Sequence, residues 1–220
     1  MRRLRLWRLS AGLLPGAALL GLLLVSACSP ASDAVDAPPA AAPGEEMRTP
    51  PILQDFNIGG DFVLTAHDGT TFDLAAHRGE VFLLFFGYTH CPDFCPATLS
   101  LLGQVYELLG DDADSVQTLF VSIDPVRDTP ETLEQYLNYF SVPALGLTGS
   151  AEELEPVLSA YAGLMEVETD ESGEMVIGHT TYTYLIDHRG RVRYTFRAND
   201  TPHFIAAGVA DQLATTRALE

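Results

Sequence analysis

The sequence predicts an α/β domain with a mixed central sheet flanked by helices, and three observations carry that prediction. Residues 81–86, Val-Phe-Leu-Leu-Phe-Phe, form a continuous apolar run of strand length, as expected of a central strand buried on both faces. Helical periodicities then alternate with further apolar runs, giving β-α-β-α. The chain closes with two strand patterns separated by Asp187-His188-Arg189-Gly190 and a final helix, so parallel and antiparallel strands share one sheet.

In chain order, residues 62–64 and 71–74 flank the turn signal His67-Asp68-Gly69 and predict an N-terminal β-hairpin. After the 81–86 strand, Leu99, Leu102, Val105, Tyr106 and Leu109 recur at intervals of three or four and predict a helix over 96–109, with Pro96 at its first position. Residues 116–123 make a second buried strand. Asp128-Thr129-Pro130-Glu131 then supplies a cap, an N1 proline and an early acid for a helix whose apolar face is Leu133, Tyr136, Leu137 and Phe140. A short strand near Leu145 and a helix over 151–161 follow. Residues 164–169 and 175–177 bracket Asp170-Glu171-Ser172-Gly173 as an inserted hairpin expected to project from the core. Strands at 182–186 and 192–196 and a helix over 202–214 complete the unit, and no internal repeat is present.

The folded unit is assigned to residues 52–220. Before it, Arg2, Arg3, Arg5 and Arg8 precede an apolar run over 9–25, small residues Ser26 and Ala27, and then Cys28. Residues 1–27 read as a lipoprotein signal, with Cys28 the lipidated N-terminus after cleavage. An uncleaved anchor is the alternative, because 9–27 approaches the roughly 20 residues that span a bilayer. Either way the arginines place the domain outside the cytoplasm. Residues 28–51, rich in Ala, Pro, Ser, Asp and Glu, read as a disordered spacer between membrane and domain.

Losing that leader removes four of the 12 basic residues and none of the 30 acidic ones, which deepens the formal net charge from −18 to −22. The chain has no lysine. Such a surface repels phosphate backbones and anionic headgroups, which excludes nucleic-acid binding and peripheral membrane docking. A cationic ligand or a basic partner suits it, although acidity also keeps an exported protein soluble.

With Cys28 assigned to the anchor, Cys91 and Cys95 remain as a pair in a compartment where disulfides persist. They lie where the central strand ends and the next helix begins. Ligands gather beyond the carboxyl ends of strands in such sheets, and a helix N-terminus favours a thiolate. Two thiols at i and i+4 have β-carbons about 5–6 Å apart on a helical turn, so both a disulfide and a two-sulfur metal grip are feasible.

The stretch Gly87-Tyr88-Thr89-His90-Cys91-Pro92-Asp93-Phe94-Cys95-Pro96 resembles the C-x-x-x-C motif of the Sco/SenC family. So do Val121-Ser122-Ile123-Asp124-Pro125-Val126-Arg127-Asp128-Thr129-Pro130-Glu131 and His179 ahead of Tyr184-Leu185-Ile186-Asp187. The resemblance runs from about Asp61 to the last helix. It implies a thioredoxin-like fold and a copper site made of Cys91, Cys95 and His179, with copper delivered during assembly of cytochrome c oxidase. Two soft thiolates and an imidazole suit copper, whereas a closed structural zinc site needs a fourth protein ligand, for which the sequence offers no candidate. Thr180-Thr181-Tyr182-Thr183 departs from the more apolar family segment after the histidine. Asp124 is read mainly as ending a strand and starting a turn, and otherwise as orienting the site.

The remaining candidates carry less. His90 adjoins Cys91, but neighbours in an extended chain point oppositely, so it is read as outside the site. His67, His77, His188 and His203 are read as solvated, and Met47, Met165 and Met175 are assigned to the spacer or to hairpin packing. The expected partners are a copper-receiving oxidase subunit or another copper chaperone, together with a thiol reductant. The expected role is that of a chaperone and not a turnover enzyme. The alternative is a thiol-disulfide oxidoreductase in which Cys91 and Cys95 cycle between dithiol and disulfide. No proline directly precedes the strand after His179, as a redox thioredoxin would have. A peroxiredoxin is disfavoured because Thr89 stands two, not three, residues before Cys91.

Overall fold

A computed structural model describes residues 51–163, 165–169 and 175–219, with the backbone alone for 165–169, 175 and 176. The signal reading of 1–27, Cys28, Met47 and the spacer up to residue 50 lie outside the described residues, as does the side-chain packing assigned to Met165 and Met175. Among the described residues no helix is long and apolar enough to cross a membrane.

The described residues form nine strands and four α-helices in the order β1 (Val63–Ala66), β2 (Thr71–Asp73), β3 (Val81–Gly87), α1 (Phe94–Leu109), β4 (Val116–Ser122), α2 (Pro130–Leu137), β5 (Ala144–Thr148), α3 (Ala151–Ala160), β6 (Met165–Thr169), β7 (Met175–His179), β8 (Thr183–Ile186), β9 (Val192–Phe196) and α4 (Pro202–Arg217). Seven strands form one sheet in the order β2-β1-β5-β4-β3-β8-β9. The β5, β4 and β3 neighbours are parallel and the others antiparallel, so the predicted mixed sheet is present. The β3-α1-β4 unit and the β8-β9-α4 unit, joined through β3 and β8, make a thioredoxin-like core.

All seven residues of β3 are buried. The strand is central because its alternate side chains face two apolar layers. Phe85 meets Phe120 edge to face, and Phe86 meets Tyr161 and Tyr184. α1 and α4 pack together, while α2 lies against β5 and α3 against β1. Local chemistry sets the helix starts. Thr129, Ser150 and Thr201 each accept a backbone N–H of the first turn of α2, α3 and α4, and Ser150 with Glu153 forms a capping box.

Two of the boundaries that differ from the sequence reading concern the site. α1 starts at Phe94, not Pro96, which is therefore its third residue. Proline fits there because first-turn amides have no intrahelical acceptor. The inserted hairpin is a separate two-stranded sheet, as expected, but its pairing extends to Met165 opposite His179. His179 thus ends β7 and does not open the next strand, which begins at Thr183.

Candidate metal centre

Cys91 lies in the loop after β3, Cys95 in the first turn of α1, and His179 at the end of β7. These three elements bring two sulfurs and an imidazole nitrogen to within 4.8 Å of one another, in a cluster that is buried at both cysteines and half-buried at the histidine. Cys95 is 1% exposed and Cys91 9%, so both cysteines are buried, Cys95 the more deeply.

Each donor atom is oriented by a specific contact. The Cys95 backbone N–H donates to Cys91 Sγ at 3.4 Å, so the sulfur occupies the place of an N-cap acceptor at the head of α1. Cys95 Sγ lies 3.9 Å from His179 Nε2. His179 Nδ1 lies 3.0 Å from the Thr180 carbonyl. A carbonyl only accepts, so the proton belongs on Nδ1 and the Nε2 lone pair is left facing the sulfurs. This is the outer-sphere arrangement that fixes the tautomer of metal-binding histidines.

The two thiols share protons unequally. A hydrogen bond from the Cys95 thiol pulls Cys91 down to about 4, against the opposing effect of burial. The same pairing and deep burial push the Cys95 thiol up. The metal-free pair is therefore a thiolate at Cys91 and a thiol at Cys95 near neutral pH. One proton must leave Cys95 when a soft cation takes both sulfurs.

Several residues that shape this site escaped the sequence reading as functional positions. Gly87 is one, because a β-carbon there would sit 2.8 Å from Cys95 Sγ and 3.0 Å from Phe120 Cε2. Asp128 is another. Its buried carboxylate accepts the Thr89 N–H at 3.1 Å, the Thr89 hydroxyl at 2.6 Å and the Ser122 hydroxyl at 2.7 Å. It thereby latches the cysteine loop to the end of β4. Burial pushes its carboxyl up despite those bonds. The Asp128-Thr129-Pro130 run reads as a helix cap, yet the cap is Thr129, and nothing local reveals a partner 39 residues away.

Asp124 begins the turn after β4, with its carboxylate paired to Arg127 and its backbone N–H donated to Ser122 Oγ. It does not belong to the sulfur and imidazole cluster. His90 lies outside that cluster too, exposed, with Nδ1 3.1 Å from the Thr89 hydroxyl. Three histidines depart from the solvated reading, one of them His188, half-buried with its Nδ1 3.4 Å from the Thr216 hydroxyl. His67 is half-buried and its Nδ1 accepts the Gly146 N–H at 2.9 Å, while His77 stacks on Phe72 at 4.7 Å. His67, directly after β1, thereby ties that strand to β5, and His77 packs on β2.

Comparison with known proteins agrees with this geometry. The SCO1/SenC family model matches residues 51–214. An SCO2-like protein of Rickettsia felis is 33% identical over 167 residues, covering 71% of this chain and 82% of that one. The mitochondrial SCO1 homolog of Homo sapiens is 37% identical over 167 residues, covering 73% of this chain and 54% of that one. Among solved structures, Bradyrhizobium japonicum ScoI with copper bound superposes with a TM-score of 0.66 at 37% identity, covering 70% of this chain and 99% of that one. With two thiols and an imidazole converging at the mouth of a thioredoxin-like core and the family match spanning that core, the chain belongs to the SCO1/SenC family.

Proposed function

We propose that this protein is a copper metallochaperone that holds one copper ion through Cys91 Sγ, Cys95 Sγ and His179 Nε2 and hands it on during assembly of the copper centre of cytochrome c oxidase. The observation that carries the reading is the convergence of those three atoms within 4.8 Å, with the imidazole proton held on the far nitrogen. Two soft sulfurs and one nitrogen favour copper, and a three-donor set leaves an open position through which a receiving protein can take the ion. Copper is cargo here, so a half-exposed histidine beside a shallowly buried Cys91 serves exchange better than a fully enclosed site would. The copper-bound ScoI of B. japonicum supports the choice of metal.

The receiver is an oxidase subunit or a second copper chaperone, and a thiol reductant keeps the pair competent, since oxidation of Cys91 and Cys95 to a disulfide removes both sulfurs from the metal. The leader at 1–27, lipidated Cys28 and the spacer over 28–51 support placement of the domain at residues 52–220 on the extracytoplasmic face of a membrane.

A second reading, reduction of client disulfides, is favoured by the depressed Cys91 thiol beside a protonated Cys95, the arrangement of an attacking and a resolving thiol. The test is copper stoichiometry of the reduced full-length protein, with Cys91→Ala, Cys95→Ala and His179→Ala variants alongside. One copper per chain, lost or weakened in each variant, supports the chaperone. No tight binding by the reduced protein, with a readily cycled disulfide, sinks it in favour of the reductase.

A further inference from the structure

His179 stands on β7, whose ladder partner is β6, in a two-stranded sheet separate from the seven-stranded one. A lone hairpin has little stability of its own. The imidazole therefore depends on whatever ties β7 to the core, and Tyr88 supplies two such ties, together with one contact to the cysteine loop. The Ile177 backbone N–H donates to Tyr88 Oη at 3.2 Å. The Tyr88 and His179 rings meet edge to face at 6.0 Å between centroids. The Tyr88 carbonyl accepts the Cys91 N–H at 3.2 Å. One residue, 1% exposed and directly after β3, thus holds both the cysteine loop and the strand that presents the histidine.

The bonded amide stands two residues before His179, so the bond holds the β7 backbone beside the phenol close to where the imidazole departs. The phenol ring is itself held, with the Arg127 guanidinium carbon 5.7 Å from its centroid and Arg127 paired to Asp124. Asp124 thus reaches the site through Arg127 and Tyr88, by packing and not by ligation.

We propose that Tyr88 is a positioning residue that sets His179 Nε2 over the Cys91 and Cys95 sulfurs through its hydroxyl. The inference rests on the three-donor reading above. Tyr88→Phe keeps the ring and removes only the hydroxyl, so the full-length variant is expected to fold, with an Ile177 amide that exchanges faster with solvent than in the parent. Copper affinity of the reduced protein should fall about fivefold, the value of one ordinary hydrogen bond of about 1 kcal/mol. The nitrogen coupling in the electron paramagnetic resonance spectrum of the copper(II) form should weaken or broaden. In a His179→Ala background the same substitution should leave copper affinity unchanged. A general packing role would give equal losses with and without His179. Parental affinity and nitrogen coupling in Tyr88→Phe, or an equal fold-loss in both backgrounds, overturns the proposal. If the parent itself binds no copper, the three-donor reading fails and amide exchange at Ile177 still decides: faster exchange supports the tether, and unchanged exchange refutes it.

Discussion

Replacing Gly87 with alanine tests how tightly the backbone is fitted against the Cys95 sulfur. The added β-carbon would lie 2.8 Å from Cys95 Sγ and 3.0 Å from Phe120 Cε2. Non-bonded carbon contacts settle at about 3.5–4.0 Å, so the sulfur or the strand must yield by about 1 Å. Neither moves freely, because β3 is paired on both sides and Phe120 is fully buried. Overpacking of this kind costs about 1–3 kcal/mol, and about 2–4 °C of Tm per kcal/mol applies to a chain of this size, which predicts a fall of about 2–12 °C. The assay is thermal unfolding of reduced, metal-free protein, for Gly87→Ala alone and combined with Cys95→Ala. Removing the sulfur relieves the shorter of the two clashes, so the penalty should shrink by about half or more in the double variant, since residues in contact do not add. An equal loss of Tm in both backgrounds would refute the argument that Gly87 exists to admit Cys95.

Other outcomes follow from the same structure. Iodoacetamide should modify Cys91 before Cys95, with a rate that rises through pH of about 4 and is flat by neutrality. A rate climbing instead through the ordinary thiol range of about 8.5 would contradict the shared-proton description. At the β8-β9 turn, burial disfavours ionisation of Asp187, but the Arg191 and Arg189 N–H groups and the nearby guanidiniums outweigh it and hold the carboxyl below 3.8. Its stabilising contribution is thus present above the unfolded value and lost as pH falls through the folded one, so urea titrations of Asp187→Asn should show lower stability at pH 7 and a flatter acid limb. His90→Ala should leave copper stoichiometry unchanged and affinity within about twofold, as for a surface substitution clear of the site; loss of the metal would place His90 among the ligands.

Much of this molecule is legible in its sequence because its signals are local. The run over 81–86 is apolar without alternation and becomes the central strand. Proline and threonine at 129–130 and 201–202 mark helix starts within a residue. The three candidate donors are also legible, through the C-x-x-x-C spacing and a histidine ahead of a strand. What the sequence hides is set by distant pairing. The start of α1 moves to Phe94, with Asp93 as the N-cap residue while the Cys91 sulfur takes the first-turn N–H of Cys95. β7 reaches His179 because Met165 pairs with it across the hairpin. Asp128 and Tyr88 look like an ordinary cap and an ordinary aromatic until their partners, Thr89 and Ile177, arrive from other parts of the chain.

The most direct test of the central claim is X-ray absorption at the copper edge of the reduced, copper-loaded full-length protein. The account predicts two sulfur scatterers and one imidazole nitrogen, with the nitrogen lost in His179→Ala and one sulfur lost in each cysteine variant. A shell of oxygen and nitrogen alone, or one unchanged by His179→Ala, would contradict it.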